Sequence, residues 1–124
     1  MEFEALPCAA DIYRAVNTGA APLIANAQDA LDLIATARYL HGEVKLAVDK
    51  ADIAEAFFDL KTGLAGEVLQ KFVNYKTPLA VVGDFSGYTS KALRDFITES
   101  NRGSAVFFVP DMETAAEKLG RVAL

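Results

Sequence analysis

Within FFDLKTGLAGEVLQKF, Phe57 to Phe72, a carboxylate (Asp59), an ammonium (Lys61) and a hydroxyl (Thr62) stand just ahead of Gly63 and Gly66. Consecutive backbone N–H groups at a helix start can face an anion, the helix dipole favours it, and Lys61 would add a full charge. The glycine spacings of phosphate-binding loops and of dinucleotide-binding turns are both absent. The same residues have a plain structural use: Asp59 or Thr62 caps a helix, Gly63 relieves the turn, and Gly66 lets the helix approach a strand. A second group, VGDFSGYTSK, sets Asp84, Ser86, Thr89 and Ser90 just past an apolar run. If that run is a parallel strand, these residues lie at its carboxyl end, the edge where open α/β sheets bind ligands, with Asp59 and Thr62 on the same edge. Asp59 and Asp84 could serve as acid–base groups, but no His or Cys stands beside either, and turn or cap duty is the better explanation. No catalytic residue, metal set or cofactor is expected.

Other reactive residue types read as structural. His41, the single histidine, precedes Gly42 at a helix end, where its proton interacts favourably with the dipole. Cys8 has no base beside it and reads as a small apolar residue, and a lone cysteine forms no internal disulfide. RDFITESNR carries Arg94, Asp95, Glu99 and Arg102 at helical spacing, the pattern of a solvated face. A net charge of -5 disfavours a sequence-independent nucleic-acid binder, which needs concentrated Lys and Arg. With no leader-like opening and no apolar run of about 20 residues, the expectation is a cytoplasmic protein without a membrane span.

These groups must be held by the elements around them. With 124 residues, 52% of them apolar, the chain suits one domain with one sizeable core. The first 21 residues read as an uncertain edge segment or a hairpin, FEALPC and IYRAV being strand-like and NTGAAP turn-like. NAQDALDLIATARYLHG predicts an amphipathic helix capped by Asn26 and stopped by Gly42, with Ala27, Ala30, Leu31, Ile34 and Ala37 on one face. EVKLAVD alternates as a strand, KADIAEAFF is a short helix or irregular crossover, and a helix runs from Gly63 to Asn74. That helix packs Leu64, Ala65, Val68, Leu69, Phe72 and Val73 and presents Glu67, Gln70, Lys71 and Asn74. PLAVVG and SAVFFV read as buried parallel strands. A helix from Thr89 or Ser90 packs Ala92, Leu93, Phe96 and Ile97, and Asp111 caps a last one ending at Gly120. Helices alternating with apolar strands predict an α/β fold: a mostly parallel sheet of 4–5 strands covered by 4–5 helices, in one domain.

QDALDLI, FFDLKTGLAGEVLQKF, VGDFSGYTSKALRDFI and ESNRG together resemble the bacterial family catalogued as domain of unknown function 4180, over roughly residues 22 to 119. A more distant likeness concerns the element order. VKLAVD, a crossover, the turn at Asp59, its helix, PLAVVG, a helix, and AVFFVPDMETAAEKL are similar to the STAS domains of anti-sigma factor antagonists and sulphate transporters. In that family an Asp-Ser-Ser-Gly-Leu-Gly type turn precedes the helix, its hydroxyl is phosphorylated by a partner kinase, and turn and helix dock onto that partner. Carried over, the resemblance places Asp59 at the aspartate and GLAG at the Gly-Leu-Gly portion. Leu60 and Lys61 stand at the serine positions, which leaves Thr62 as the phosphoacceptor.

Together these readings predict a STAS-like protein-interaction or regulatory module. It docks a protein partner, or a second copy as a homodimer, through Asp59, Lys61, Thr62, Gly63, Gly66, Glu67, Gln70, Lys71 and Asn74. The alternative is a sensor of a small ligand, phosphate or nucleotide that adds Asp84, Ser86 and Ser90 to the turn. A hydrolase using Asp59 or Asp84 as base ranks third.

Overall fold

A computed structural model describes residues 1–7, 9 and 11–123; the expectation for Cys8 lies outside them. The described residues form five strands and four helices: β1 (Glu2–Ala5), β2 (Ile12–Val16), α1 (Ala27–His41), β3 (Lys45–Asp49), α2 (Leu64–Asn74), β4 (Leu79–Val82), α3 (Lys91–Arg102), β5 (Val106–Val109) and α4 (Met112–Gly120). The chain is a single α/β domain. The uncertain N-terminal segment is an antiparallel pair, β1 against β2, with β1 at the sheet edge. From β2 to β5 all pairing is parallel, and strand order in the sheet follows chain order.

That monotonic order decides the layering. Parallel crossovers share one hand, so strands added in one direction send their connecting helices to one face. Accordingly α1, α2 and α3 share a core with Leu46, Val48, Leu79, Val81, Val106 and Phe108. The other face carries α4, whose Ala115 and Leu119 pack with Ile12, Ala47, Ala80, Val82, Phe107 and Val109. With both faces covered, β4 and β5 are buried at every position, as their unbroken apolar runs predict.

Helix ends follow their caps. The Asn26 side chain accepts from the Asp29 N–H at 2.8 Å, Ser90 from Leu93 at 3.2 Å, and Asp111 from Thr114 at 2.7 Å. Some predicted faces shift. In α1 the buried residues are Ala30, Leu33, Ile34 and Ala37, while Leu31 and Ala27 are half-buried. In α3, Ala92 is exposed and Leu93 alone is fully buried, with Phe96 and Ile97 packed at its side. In α2, Val73 is 48% exposed. Periodicity gives a helix's apolar side, but the width of the buried stripe depends on how neighbouring helices flank it.

Candidate docking surface at the turn and second helix

Three short 3-10 turns (Lys50–Asp52, Glu55–Phe58 and Leu60–Thr62) carry the chain from β3 to α2. The crossover is anchored by burial of Ile53, Phe57 and Phe58 and by a bridge of Ile53 to Ile24. Its last turn is tied internally. Asp59 Oδ1 accepts the Lys61 N–H at 3.2 Å. Thr62 Oγ1 lies 2.9 Å from the carbonyl oxygens of both Ala56 and Asp59, so its proton serves one at a time, and it accepts the Leu64 N–H at 3.2 Å. The hydroxyl therefore closes the turn and satisfies a free donor at the start of α2.

Gly63 is not the first helical residue. It precedes α2 with φ +75°, the left-handed region that favours glycine, and reverses the chain between the 3-10 turn and the helix. Gly66 does not serve close packing: a Cβ built there meets nothing within 4 Å, and the residue is exposed. On α2, Ala65, Val68, Leu69 and Phe72 are buried, whereas Glu67, Gln70, Val73 and Asn74 are exposed and Lys71 is half-buried. Gln70 donates to the Asn74 side-chain oxygen at 2.8 Å. Asp59, Lys61, Thr62 and Gly63 are exposed as well, so turn and helix present an outward surface from residue 59 to 74.

The loop after β4 adjoins this crossover through aromatic rings. Phe58 stacks on Tyr88 with centroids 5.3 Å apart and lies 6.0 Å from Phe85. Lys50 Nζ sits 4.9 Å from the Tyr88 ring centroid and 5.5 Å from that of Phe58, and the Tyr88 hydroxyl donates to Glu55 at 2.8 Å. Gly83 makes room for this: a Cβ there would lie 2.6 Å from Lys50 Cβ. Lys50 titrates above its ordinary value, first because of its hydrogen bond with Tyr88, with Glu55 and Asp84 adding charge attraction. Burial raises the Tyr88 phenol. The sequence reading singled out none of Lys50, Glu55 and Tyr88; the signal for them was a pair of aromatic residues, Phe85 and Tyr88, inside an otherwise polar turn.

Asp84 and Ser86 lie on this edge, but Asp84 Oδ1 accepts the Ser86 N–H at 2.9 Å in a local turn, and Ser90 is spent as the α3 cap. Among the described residues no hydrogen bond joins Asp59 or Thr62 to Asp84, Ser86 or Ser90. Ligand crevices in open α/β sheets form where strand order reverses and neighbouring crossovers part to opposite faces. This sheet has no such reversal. Among the described residues no group of three or more His, Cys, Asp or Glu is placed to hold a metal ion, and no helix is long and apolar enough to cross a membrane.

Comparison with known families adds one match: the model described as "Domain of unknown function (DUF4180)" covers residues 10–119. The chain belongs to this family. The family's extent begins at residue 10 and so takes in β2, which the resemblance over residues 22 to 119 left out. No curated protein and no solved structure matches the chain.

Proposed function

We propose that this member of the family is a cytoplasmic protein-interaction or regulatory module that docks a protein partner through the Asp59–Gly63 turn and the outer face of α2, in the manner of the STAS domains its element order resembles. The observation that carries this reading is that the exposed turn is held by its own side chains, Asp59 and Thr62. A surface already ordered loses little conformational entropy on binding. Beside it, Val73 adds exposed apolar area among polar neighbours. Thr62 is the regulatory residue of this reading. Phosphorylation would remove the proton it gives to Ala56 or Asp59 and add about -1.5 to -2 charge next to the Asp59 carboxylate, loosening the turn.

Affinity capture with the wild-type chain and with Lys61→Glu plus Gln70→Lys, followed by intact-mass measurement of the captured chain, tests both parts. Loss of a specific partner in the variant supports the surface, and an unchanged set of partners removes it. A phosphoryl mass increment absent from Thr62→Val supports Thr62 as the modified residue.

A second reading, a sensor of a small ligand, phosphate or nucleotide at the Asp84–Ser86 edge, is favoured by the ammonium of Lys50 held there. Against it stand the charge attraction of Glu55 and Asp84 on Lys50 and a strand order without a reversal. Thermal-shift screening with nucleotides and phosphorylated metabolites separates the two, since a ligand at one hundred times its Kd adds roughly 2.7 kcal/mol.

A further inference from the structure

The sheet ends in two edge strands, β1 and β5, and they are finished differently. On β5, the Asn101 side chain, carried by α3, accepts the Phe108 N–H at 2.7 Å and donates to the Phe108 carbonyl oxygen at 3.1 Å. It takes the place of a neighbouring strand at that residue, and a strand laid along β5 has to displace it. On β1 the register fixes which backbone groups are free. The Leu6 N–H bonds the Ile12 carbonyl at 2.9 Å, and bonded pairs alternate along an antiparallel ladder. Glu4 opposite Arg14 and Glu2 opposite Val16 are therefore bonded pairs, while the N–H and C=O groups of Phe3 and Ala5 point out from the sheet. Among the described residues no turn or loop bond takes those groups. Leu6 packs on the α4 face and Phe3 on the other, so Glu2 and Glu4 project from the α4 face. Both are exposed and, among the described residues, neither forms an ion pair. Arg14, opposite Glu4, is engaged by Asp49 at 2.7 Å. On the other face, Phe3 lies edge-on to His41, which stacks on Tyr13.

We propose that the β1 edge receives an extended segment of a partner protein that bears Lys or Arg two residues apart with an apolar residue between them. This surface lies apart from the turn and α2, and the proposal does not rest on their role. Outward N–H and C=O groups in strand geometry are satisfied by another strand, whereas a helix has its own already paired. Residues opposite one another on neighbouring strands share a face, so those opposite Glu2 and Glu4 are two apart and meet carboxylates. The residue between them meets Phe3 on the other face, beside the rings of His41 and Tyr13. The same charges turn a second copy away. Antiparallel registers that set Phe3 opposite Phe3 or Ala5 of a second copy put Glu4 directly opposite Glu2 or Glu4, and like charges there are destabilising.

The test selects a displayed library of short randomised peptides against the full chain. The expected result is enrichment of Lys or Arg at alternate positions around an apolar residue, with hydrogen-exchange protection gained at the Phe3 and Ala5 amides on binding. Glu2→Lys with Glu4→Lys should lose these peptides and select acidic ones at the same spacing. Ala5→Pro removes only an outward N–H, which a sheet edge tolerates, and should weaken binding about tenfold while the unfolding midpoint holds. Enrichment without the basic pair overturns the proposal, as does protection at Val106 in place of Phe3, which puts the added strand on β5. A library with no binders overturns it and leaves Glu2 and Glu4 as guards against self-pairing. Wild-type self-association by sedimentation that Ala5→Pro abolishes assigns the edge to a second copy and overturns the partner segment. Peptides whose amide shifts stay within residues 59–74 overturn it while supporting the docking face at the turn and α2.

Discussion

Lys50 and Tyr88, 38 positions apart, meet with the lysine ammonium 4.9 Å from the tyrosine ring centroid, and this contact ties the β3–α2 crossover to the β4–α3 loop. Lysine over an aromatic face gains about 0.5–1 kcal/mol at a partly exposed site. A double-mutant cycle of Lys50→Met and Tyr88→Leu is expected to give a coupling energy of about that size in chemical denaturation.

The same pair sets an alkaline limit. Lys50 is raised above 10.5 and Tyr88 above 10.0, so the folded chain holds protons that the unfolded chain releases first. Their contribution is complete below the unfolded values and falls as pH rises through the folded ones. The unfolding midpoint of the wild type should drop more steeply above about pH 10 than that of the Lys50→Met, Tyr88→Leu variant.

At the turn, Thr62→Val keeps the side-chain shape and removes every hydroxyl contact. A loss of about 1 kcal/mol is expected, with Thr62→Ser close to wild type. Denaturant titration of the three proteins decides it, and an unchanged Thr62→Val midpoint would show that the turn does not need the hydroxyl.

Lys76 follows α2 with φ +51°, and the Thr77 N–H bonds the Phe72 carbonyl at 2.9 Å, closing the helix in the left-handed way that glycine favours. A side chain in this region costs about 1 kcal/mol.

On the α4 side of the sheet, Lys45 is 4% exposed, and among the described residues its ammonium has one acid, Asp11, at 3.5 Å. Asp11→Ala strands a buried charge and should cost about 1–3 kcal/mol, whereas Lys45→Met removes the charge and is expected to be neutral or stabilising. The two midpoints should move apart.

Acid stability follows from two depressed carboxyls. Ser86 donors hold Asp84 below 3.8, and Thr114 donors hold Asp111 below it. Between the folded and unfolded values the unfolded chain binds more protons, so this stability is present above pH 3.8 and drains as pH falls through the folded values. Asp111→Asn keeps the cap without titrating. Its unfolding midpoint should match the wild type near neutrality and fall less steeply below that pH.

What the sequence determined by itself is the local layer: which runs are strands, which are helices, and where Asn26, Ser90 and Asp111 cap them. Each of these depends on apolar period and on hydrogen bonds spanning a few residues. Even the turn at Asp59 was legible as a helix start, because Thr62 and Gly63 act within their own neighbourhood. Tertiary structure alone decided the rest. The strand order put three helices on one face and gave the sheet no point where neighbouring crossovers part to opposite faces. Packing of α1 beside α2 buried Leu33 and left Leu31 half-buried, and Lys50 met Tyr88 and Glu55 only because two loops leave adjacent strands. Contacts of that kind join distant parts of the chain, and no local spacing records them.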